Sequence, residues 1–305
     1  MDTLRELSEL KFRVLIIGGG RWSNVYIKEL LSMPYLIDID VVSQTQTSVL
    51  KSIYGSRVIN YYRSFNDILH NKKYDLAVIS NQPSRRVRDI SNACMVSNTL
   101  LIEKPICETL QQYIDIEKIY KYNKPWSCNW FISCPFIYSE RVSKFFQDNE
   151  DPVNIYCRWN EENIDDPSYR LDRNITSTAI SHFLPLLAAY LGFKYDSLVL
   201  EDDSKEDMRL TSQTSLNPTI DIAWSRHDQR TEKKIIFVKR NSVVELDLMS
   251  KELKQLGIYK LFEKFLTPLQ CQVHQLLDLK DGKLTSSMRF ESQNAASKIF
   301  LLNLE

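Results

Sequence analysis

The chain has 305 residues, of which 43% are hydrophobic and 26% charged, enough for two domains and a sizeable buried core. Its 39 basic and 39 acidic side chains cancel, so no excess charge draws it to nucleic acid or to an anionic membrane. Six cysteines without a CxxC pair and only four histidines argue against a metal site or a disulfide framework.

The first residues, MDTLRELSELKF, carry charges throughout and do not read as a signal peptide. No apolar stretch approaches the roughly 18 residues of a membrane span, so the cytoplasm is the expected compartment. From residue 12 to about 126 short β-rich runs alternate with longer helical ones. The predicted strands are FRVLIIG (12–18), IDIDVVSQ (37–44), RVINYY (57–62), DLAVIS (75–80), TLLIE (99–103) and WSCNWF (126–131). Helical stretches lie between most of them; SFNDILHN opens with Ser64 three residues before Asp67, a start resembling a capping box. The strands read as near-continuous apolar runs, as expected where helices cover both sheet faces. The fold class is therefore α/β, with an N-terminal doubly wound parallel sheet of the Rossmann type.

The second half changes character. YSERVSKFFQDN (138–149) reads as a helix and VNIYCRWN (153–160) as a strand, followed by an irregular stretch to residue 174. ITSTAISHFLPLLAAYLGF (175–193) reads as a helix ended by Gly192. SLVLED, DMRLTSQ, TIDIAWSR, KKIIFVK and SVVELDL predict an open, mostly antiparallel sheet in an α+β domain. GIYKLFEKFLTPLQCQVHQLLDL and SQNAASKIFLLNLE read as closing helices. The expected division is 1–127 for a dinucleotide-binding domain and 128–305 for a substrate and dimerisation domain, with the terminal helices able to pack back on the first.

Three stretches carry chemistry. Gly18, Gly20 and Ser23 occupy the small positions of a GxGxxG-like turn after the first strand. The first glycine makes the turn, the second lets backbone N–H groups reach a pyrophosphate, and the third small residue lets the helix approach the sheet. The helix N-terminus adds a positive dipole end. Arg21 and Trp22 fall in the same turn and are counted as cofactor contacts. The second strand ends in Ser43, Gln44 and Thr45, where an acid would usually hold an NAD ribose. These neutral donors suit a 2′-phosphate, although no arginine stands in the run to clamp it, and NADP(H) is favoured over NAD(H). The third stretch is Glu103-Lys104-Pro105, at the end of the fifth strand.

At Glu103-Lys104-Pro105 the sequence resembles the glucose–fructose oxidoreductase / inositol dehydrogenase / MocA-like (Gfo/Idh/MocA) oxidoreductases. NQPS (81–84), CNWFISCPFIY (128–138) and PSYRLDRNITSTAISHFLPLLAAYLG (167–192) extend the resemblance in the family's order. It implies an NAD(P)-dependent oxidoreductase acting on a carbonyl, alcohol or imine carbon of a small polar metabolite, with a homodimer formed through the second sheet. It implies that Lys104 sits near nicotinamide and substrate and stabilises developing charge, and that Pro105 follows a cis peptide. It implies that His182 is the general acid or base. Asn81, Pro83, Glu103 and Asn129 fall on its cofactor-lining segments; Tyr169 and Arg170, with Thr178, fall where the family contacts substrate. The chain departs from the pattern too. Thr178 and Pro185 stand where the family commonly has aspartates, and Arg86 where it often has a histidine. Two alternatives stay open: an imine reductase like the thiazolinyl imine reductases, and a non-catalytic cofactor or ligand sensor on the same scaffold.

Overall fold

The structure, a computed structural model, describes residues 11–33, 36–44, 47–58, 60–68, 73–123, 128–160, 175–191, 198–203, 207–212, 218–225, 231–251, 253, 260–261 and 264–277. Six parallel strands form the first sheet: β1 (Lys11–Ile17), β2 (Leu36–Val42), β3 (Asn60–Tyr62), β4 (Leu76–Ile79), β5 (Thr99–Ile102) and β6 (Asn129–Ile132). Their order, β3-β2-β1-β4-β5-β6, reverses direction between β1 and β4. That is the order of a dinucleotide-binding sheet, whose ligand crevice lies beyond the carboxyl ends of the strands at the reversal. Helices α1 (Arg21–Leu31), α2 (Thr47–Tyr54), α3 (Arg86–Val96) and α4 (Leu110–Asn123) connect them. Every residue of β4 and of β5 is buried, which explains their unbroken apolar character.

Local details depart from the sequence reading. The third strand is only three residues long, and the Ser64/Asp67 capping box is present but starts a single 3₁₀ turn, Phe65–Asp67. The sixth strand begins at Asn129 and belongs to the first sheet, so the expected division at 127/128 falls ahead of that sheet's last strand.

The second sheet contains β7 (Asn154–Asn160), β8 (Leu198–Asp203), β9 (Asp207–Ser212), β10 (Thr219–Ser225), β11 (Glu232–Val238) and β12 (Val243–Asp247), in the order β12-β11-β7-β10-β9-β8. All its neighbours are antiparallel except β7 and β10. Alternation sets its two faces. Ile155, Cys157 and Trp159 of β7, Ile220, Ile222 and Trp224 of β10, and Ile235 and Phe237 of β11 are buried, and the residues between them are partly exposed. Helices α5 (Glu140–Asp148) and α6 (Ile175–Leu191) bury Phe146, Phe183, Leu184, Leu186 and Leu187 in the same core, and Phe146 stacks on Tyr190 with centroids 4.5 Å apart.

The stretch read as one long closing helix is divided. Two short antiparallel strands, β13 (Lys260–Leu261) and β14 (Lys264–Phe265), precede α7 (Pro268–Leu277). Pro268 opens α7, where its missing N–H costs nothing. This helix packs back on the first domain. Gln270 Nε2 donates to the Glu29 carbonyl at 3.3 Å, and the buried Gln272 Nε2 donates to the Ile132 carbonyl at 2.9 Å. Gly192 and SQNAASKIFLLNLE lie outside the described residues.

Candidate functional site

The carboxyl ends of β1, β2, β4 and β5 bring the sequence's chemistry-bearing stretches together. At the end of β1, Gly18 adopts φ +137°, a conformation side chains rarely take. A Cβ there would stand 2.8 Å from Ser23 Oγ, 2.9 Å from Ser80 Oγ and 3.0 Å from Asn81 Oδ1. Ser23, the third small residue, is buried and shares a 2.8 Å hydrogen bond with Ser80. Its hydroxyl thus ties α1 to the end of β4, so serine does here what close packing does for glycine. Gly20 is different. Its φ of −82° suits any residue, and an added Cβ meets nothing within 4 Å. Packing within the chain does not require glycine at 20, whereas close approach of a ligand's phosphates does.

Gly20 is also the N-cap of α1, with no side-chain cap and no acid in the first turn. The first N–H groups of that helix have no intrahelical acceptor and form the positive end of its dipole. Arg21 and Trp22, both exposed, flank them; Trp22 is 46% exposed. At the end of β2, Ser43 is buried with its N–H on the Tyr62 carbonyl at 3.0 Å, while Gln44 is exposed. Thr45 lies outside the described residues. No arginine stands in the run itself, but one reaches it from elsewhere: Arg85 Nη1 donates to Gln44 Oε1 at 3.0 Å. Arg85 comes from the turn after β4, on the far side of β1 from β2, so the contact spans the mouth of the glycine turn.

Asn81, Pro83, Glu103 and Lys104 also sit at these strand ends. Asn81 donates from Nδ2 to the buried Asp89 at 2.6 Å, and Pro83 is buried at the start of a 3₁₀ turn. Glu103 faces inward. Its carboxylate accepts from Tyr26 Oη at 2.5 Å and from the Lys104 N–H at 3.2 Å, and it is 2% exposed. Tyr26, also bonded to Ser133 Oγ at 2.7 Å, has its phenol pKa pushed well up by burial and then by the Glu103 charge. Glu103 therefore holds the turn from beneath, while Lys104 is partly exposed above it. The Lys104–Pro105 peptide is cis.

Asn129 does not join them. It opens β6 and is exposed, about 10 Å from that strand's carboxyl end at roughly 3.3 Å per residue. The segment after β6 reaches the site instead, through Phe136, whose ring centroid is 5.9 Å from that of His182.

α6 brings His182 against the second sheet. Its ring lies 4.4 Å from Trp159 at 30°, and Lys233 Nζ sits 3.8 Å from the Trp159 ring centroid, a cation–π distance. Nδ1 of His182 is enclosed, with no hydrogen-bond partner among the described residues. Burial first, then the Lys104 and Lys233 ammonium groups, hold its pKa well below the ordinary imidazole value. The ring is therefore neutral at neutral pH. Trp159, Lys233 and Phe136 were not singled out for this site from sequence; alternation along β7 places Trp159 on the helix-covered face, but nothing local pairs it with His182. Thr178 lies one helical turn before His182 on α6, and Tyr169 and Arg170 lie outside the described residues.

Among the described residues no histidine, cysteine or carboxylate cluster forms a metal site, and no helix is long and apolar enough to cross a membrane. Residues 12–124 match the Gfo/Idh/MocA family, described as an oxidoreductase family with an NAD-binding Rossmann fold. No curated protein matches the sequence. The fold is shared with a scyllo-inositol dehydrogenase from Lactobacillus casei, solved with NAD(H) and scyllo-inositol (TM-score 0.73, 10% identity, 96% of each chain). It is shared as well with a myo-inositol dehydrogenase from Corynebacterium glutamicum (TM-score 0.71, 14% identity, 96% of this chain and 95% of that one). A UDP-N-acetylglucosamine 3-dehydrogenase from Acidithiobacillus ferrooxidans also has it (TM-score 0.72, 11% identity, 97% of each chain). The glycine turn, the Glu103-Lys104-Pro105 turn and the strand order all fall within or beside the matched residues, so over its dinucleotide-binding part the chain is similar to the Gfo/Idh/MocA oxidoreductases.

Proposed function

We propose that this chain is an NAD(P)-dependent dehydrogenase that moves a hydride between its cofactor and a hydroxyl-bearing or carbonyl carbon of a small polar metabolite, such as a sugar derivative. The observation that carries this reading is the sheet edge at which Lys104, after β5, stands with a turn whose Gly20 packing alone does not require, while Phe136, from the segment after β6, packs against His182. The residues fit the cofactor: the α1 N-terminus would hold the pyrophosphate, and Ser43, Gln44 and Arg85 the adenosine ribose. Arg85 beside two neutral donors supports NADP(H) over NAD(H). When bound, the nicotinamide supplies or accepts the hydride.

The protein's part is binding, orientation and proton movement. The Lys104 ammonium would donate a hydrogen bond to the reacting oxygen and stabilise its negative charge. His182, held neutral, would take the hydroxyl proton. Held neutral, His182 is in the form that can accept a proton, as alcohol oxidation requires. Thr178, in place of an acid one turn from His182, favours the sensor as second reading. The partly exposed face of the second sheet, with Tyr156, Ala223 and Ile236, is proposed to pair two copies, and the cytoplasm is the proposed compartment.

The test is a titration with NADPH and NADH, then turnover on polyol, sugar-alcohol, carbonyl and imine panels. The reading predicts binding that survives Lys104→Ala and His182→Ala, with turnover abolished by both. Binding unaffected by either substitution, with no turnover by the unsubstituted protein on any panel, would support the sensor. No nicotinamide binding at all, with Gly20→Val indistinguishable from the parent, would overturn both readings.

A further inference from the structure

We propose that Arg86 is a positioning residue that fixes Lys104 by clasping the loop that carries it, after β5, to the loop after β4. The proposal rests on the oxidoreductase reading of this site. Arg86 stands at the start of α3 and is 2% exposed. Its Nε and Nη2 donate to the Asn81 carbonyl at 3.2 and 2.9 Å, and its Nη1 donates to the Pro105 carbonyl. Asn81 follows β4 and Pro105 follows β5, which are parallel neighbours, so one guanidinium joins the loops beyond both strands. Asp89, one turn further along α3, holds the Asn81 side chain as well.

The consequence falls on Lys104. Its own N–H is held by Glu103 Oε2, and the carbonyl of the next residue is held by Arg86. Glu103 is in turn held by Tyr26. The backbone carrying the ammonium is thereby pinned from both sides by buried groups. Burial lowers the Arg86 pKa to about 10, with the Glu103 charge opposing that fall, so the guanidinium stays protonated at neutral pH. A buried cation is expensive, and an apolar side chain often fills such a space as well. What an apolar side chain lacks is a planar fork that addresses two carbonyls in fixed geometry. Lysine has the charge without the fork.

The experiment uses the full chain with Arg86→Gln and Arg86→Lys, measuring ADP-ribose affinity, NADPH affinity, and kcat and KM on the best substrate of the panel. ADP-ribose carries the adenosine, the pyrophosphate and the second ribose but no nicotinamide, so it reads dinucleotide binding without the group that Lys104 would face. Its affinity should fall by much less than kcat does, because Arg86 touches neither the α1 N-terminus nor Ser43 and acts on the loop that carries Lys104. In Arg86→Gln kcat should fall by about a hundredfold, the effect of a displacement near 1 Å, with a smaller change in KM. Arg86→Lys, keeping the charge, should fall between, and it serves as the variant should Arg86→Gln fail to fold. An unchanged kcat in a folded variant would overturn the proposal. So would equal losses of ADP-ribose affinity and kcat, which indicate a general structural role. If the unsubstituted chain binds neither ADP-ribose nor NADPH, the oxidoreductase reading fails first and this one with it.

Discussion

Gly18→Ala and Gly20→Ala, two residues apart, should fail in opposite ways. At Gly18 a methyl group meets three polar atoms at 2.8 to 3.0 Å, and the backbone sits at φ +137°. Neither Ser23 nor Ser80 can retreat without breaking the hydrogen bond that joins α1 to β4. Backbone strain of about 1–3 kcal/mol and overpacking of about 1–3 kcal/mol are offset by only about 0.4–1 kcal/mol from a stiffer unfolded chain. The net loss of roughly 1–5 kcal/mol is a large part of a typical 5–15 kcal/mol stability. At Gly20 the methyl group touches nothing and φ is ordinary, so stability should drop by no more than about 1 kcal/mol, the effect of alanine at an N-cap. Dinucleotide affinity should fall instead, by at least about tenfold for each N–H contact to phosphate that is lost. Urea denaturation and NADPH fluorescence titration measure the two effects separately. A Gly20→Ala protein that binds NADPH like the parent, or a Gly18→Ala protein as stable as the parent, would refute the reasoning.

Arg85→Ala should weaken NADPH by about tenfold or more, the loss of one charge-assisted hydrogen bond, and leave NADH nearly unchanged; equal effects on both, read by the same titration, would place Arg85 away from a 2′-phosphate. Tyr26→Phe should lower stability by about 1–3 kcal/mol in urea denaturation, because the buried Glu103 carboxylate loses its closest donor. His182 is held neutral when folded and titrates near 6.5 when unfolded. Below that pH the unfolded chain takes up a proton that the folded one refuses, so stability falls by up to about 1.4 kcal/mol per pH unit. The urea midpoint of the parent should therefore fall relative to that of His182→Gln between pH 7.5 and 5.5. Lys233→Met removes one of the two ammonium groups that depress His182, and should raise the imidazole pKa in an NMR titration.

Much of the fold was legible because its signals are local. Apolar runs such as Leu76–Ile79 can be buried on both faces only in a helix-covered parallel sheet, and each of the two main turns, Gly18–Ser23 and Glu103–Pro105, lies within one short stretch. What was missed arrives through space. Arg85 meets Gln44 across β1, and Trp159 and Lys233 meet because β7 and β11 pair them. The resemblance puts Asn129 on a cofactor-lining segment, yet Asn129 opens β6, whose carboxyl end is Ile132. The stretch before Pro268 has apolar residues at helical spacing, yet it pairs as β13 and β14; Pro268, a favoured first helical residue, marked the true start of α7.

The most direct measurement of the central claim is a crystal structure of the chain soaked with NADPH. The account predicts the pyrophosphate on the N–H groups at the start of α1, over Gly20, the adenosine ribose beside Ser43 and Arg85, and the nicotinamide between Lys104 and His182. A dinucleotide bound elsewhere, or one whose nicotinamide lies away from Lys104, would contradict it.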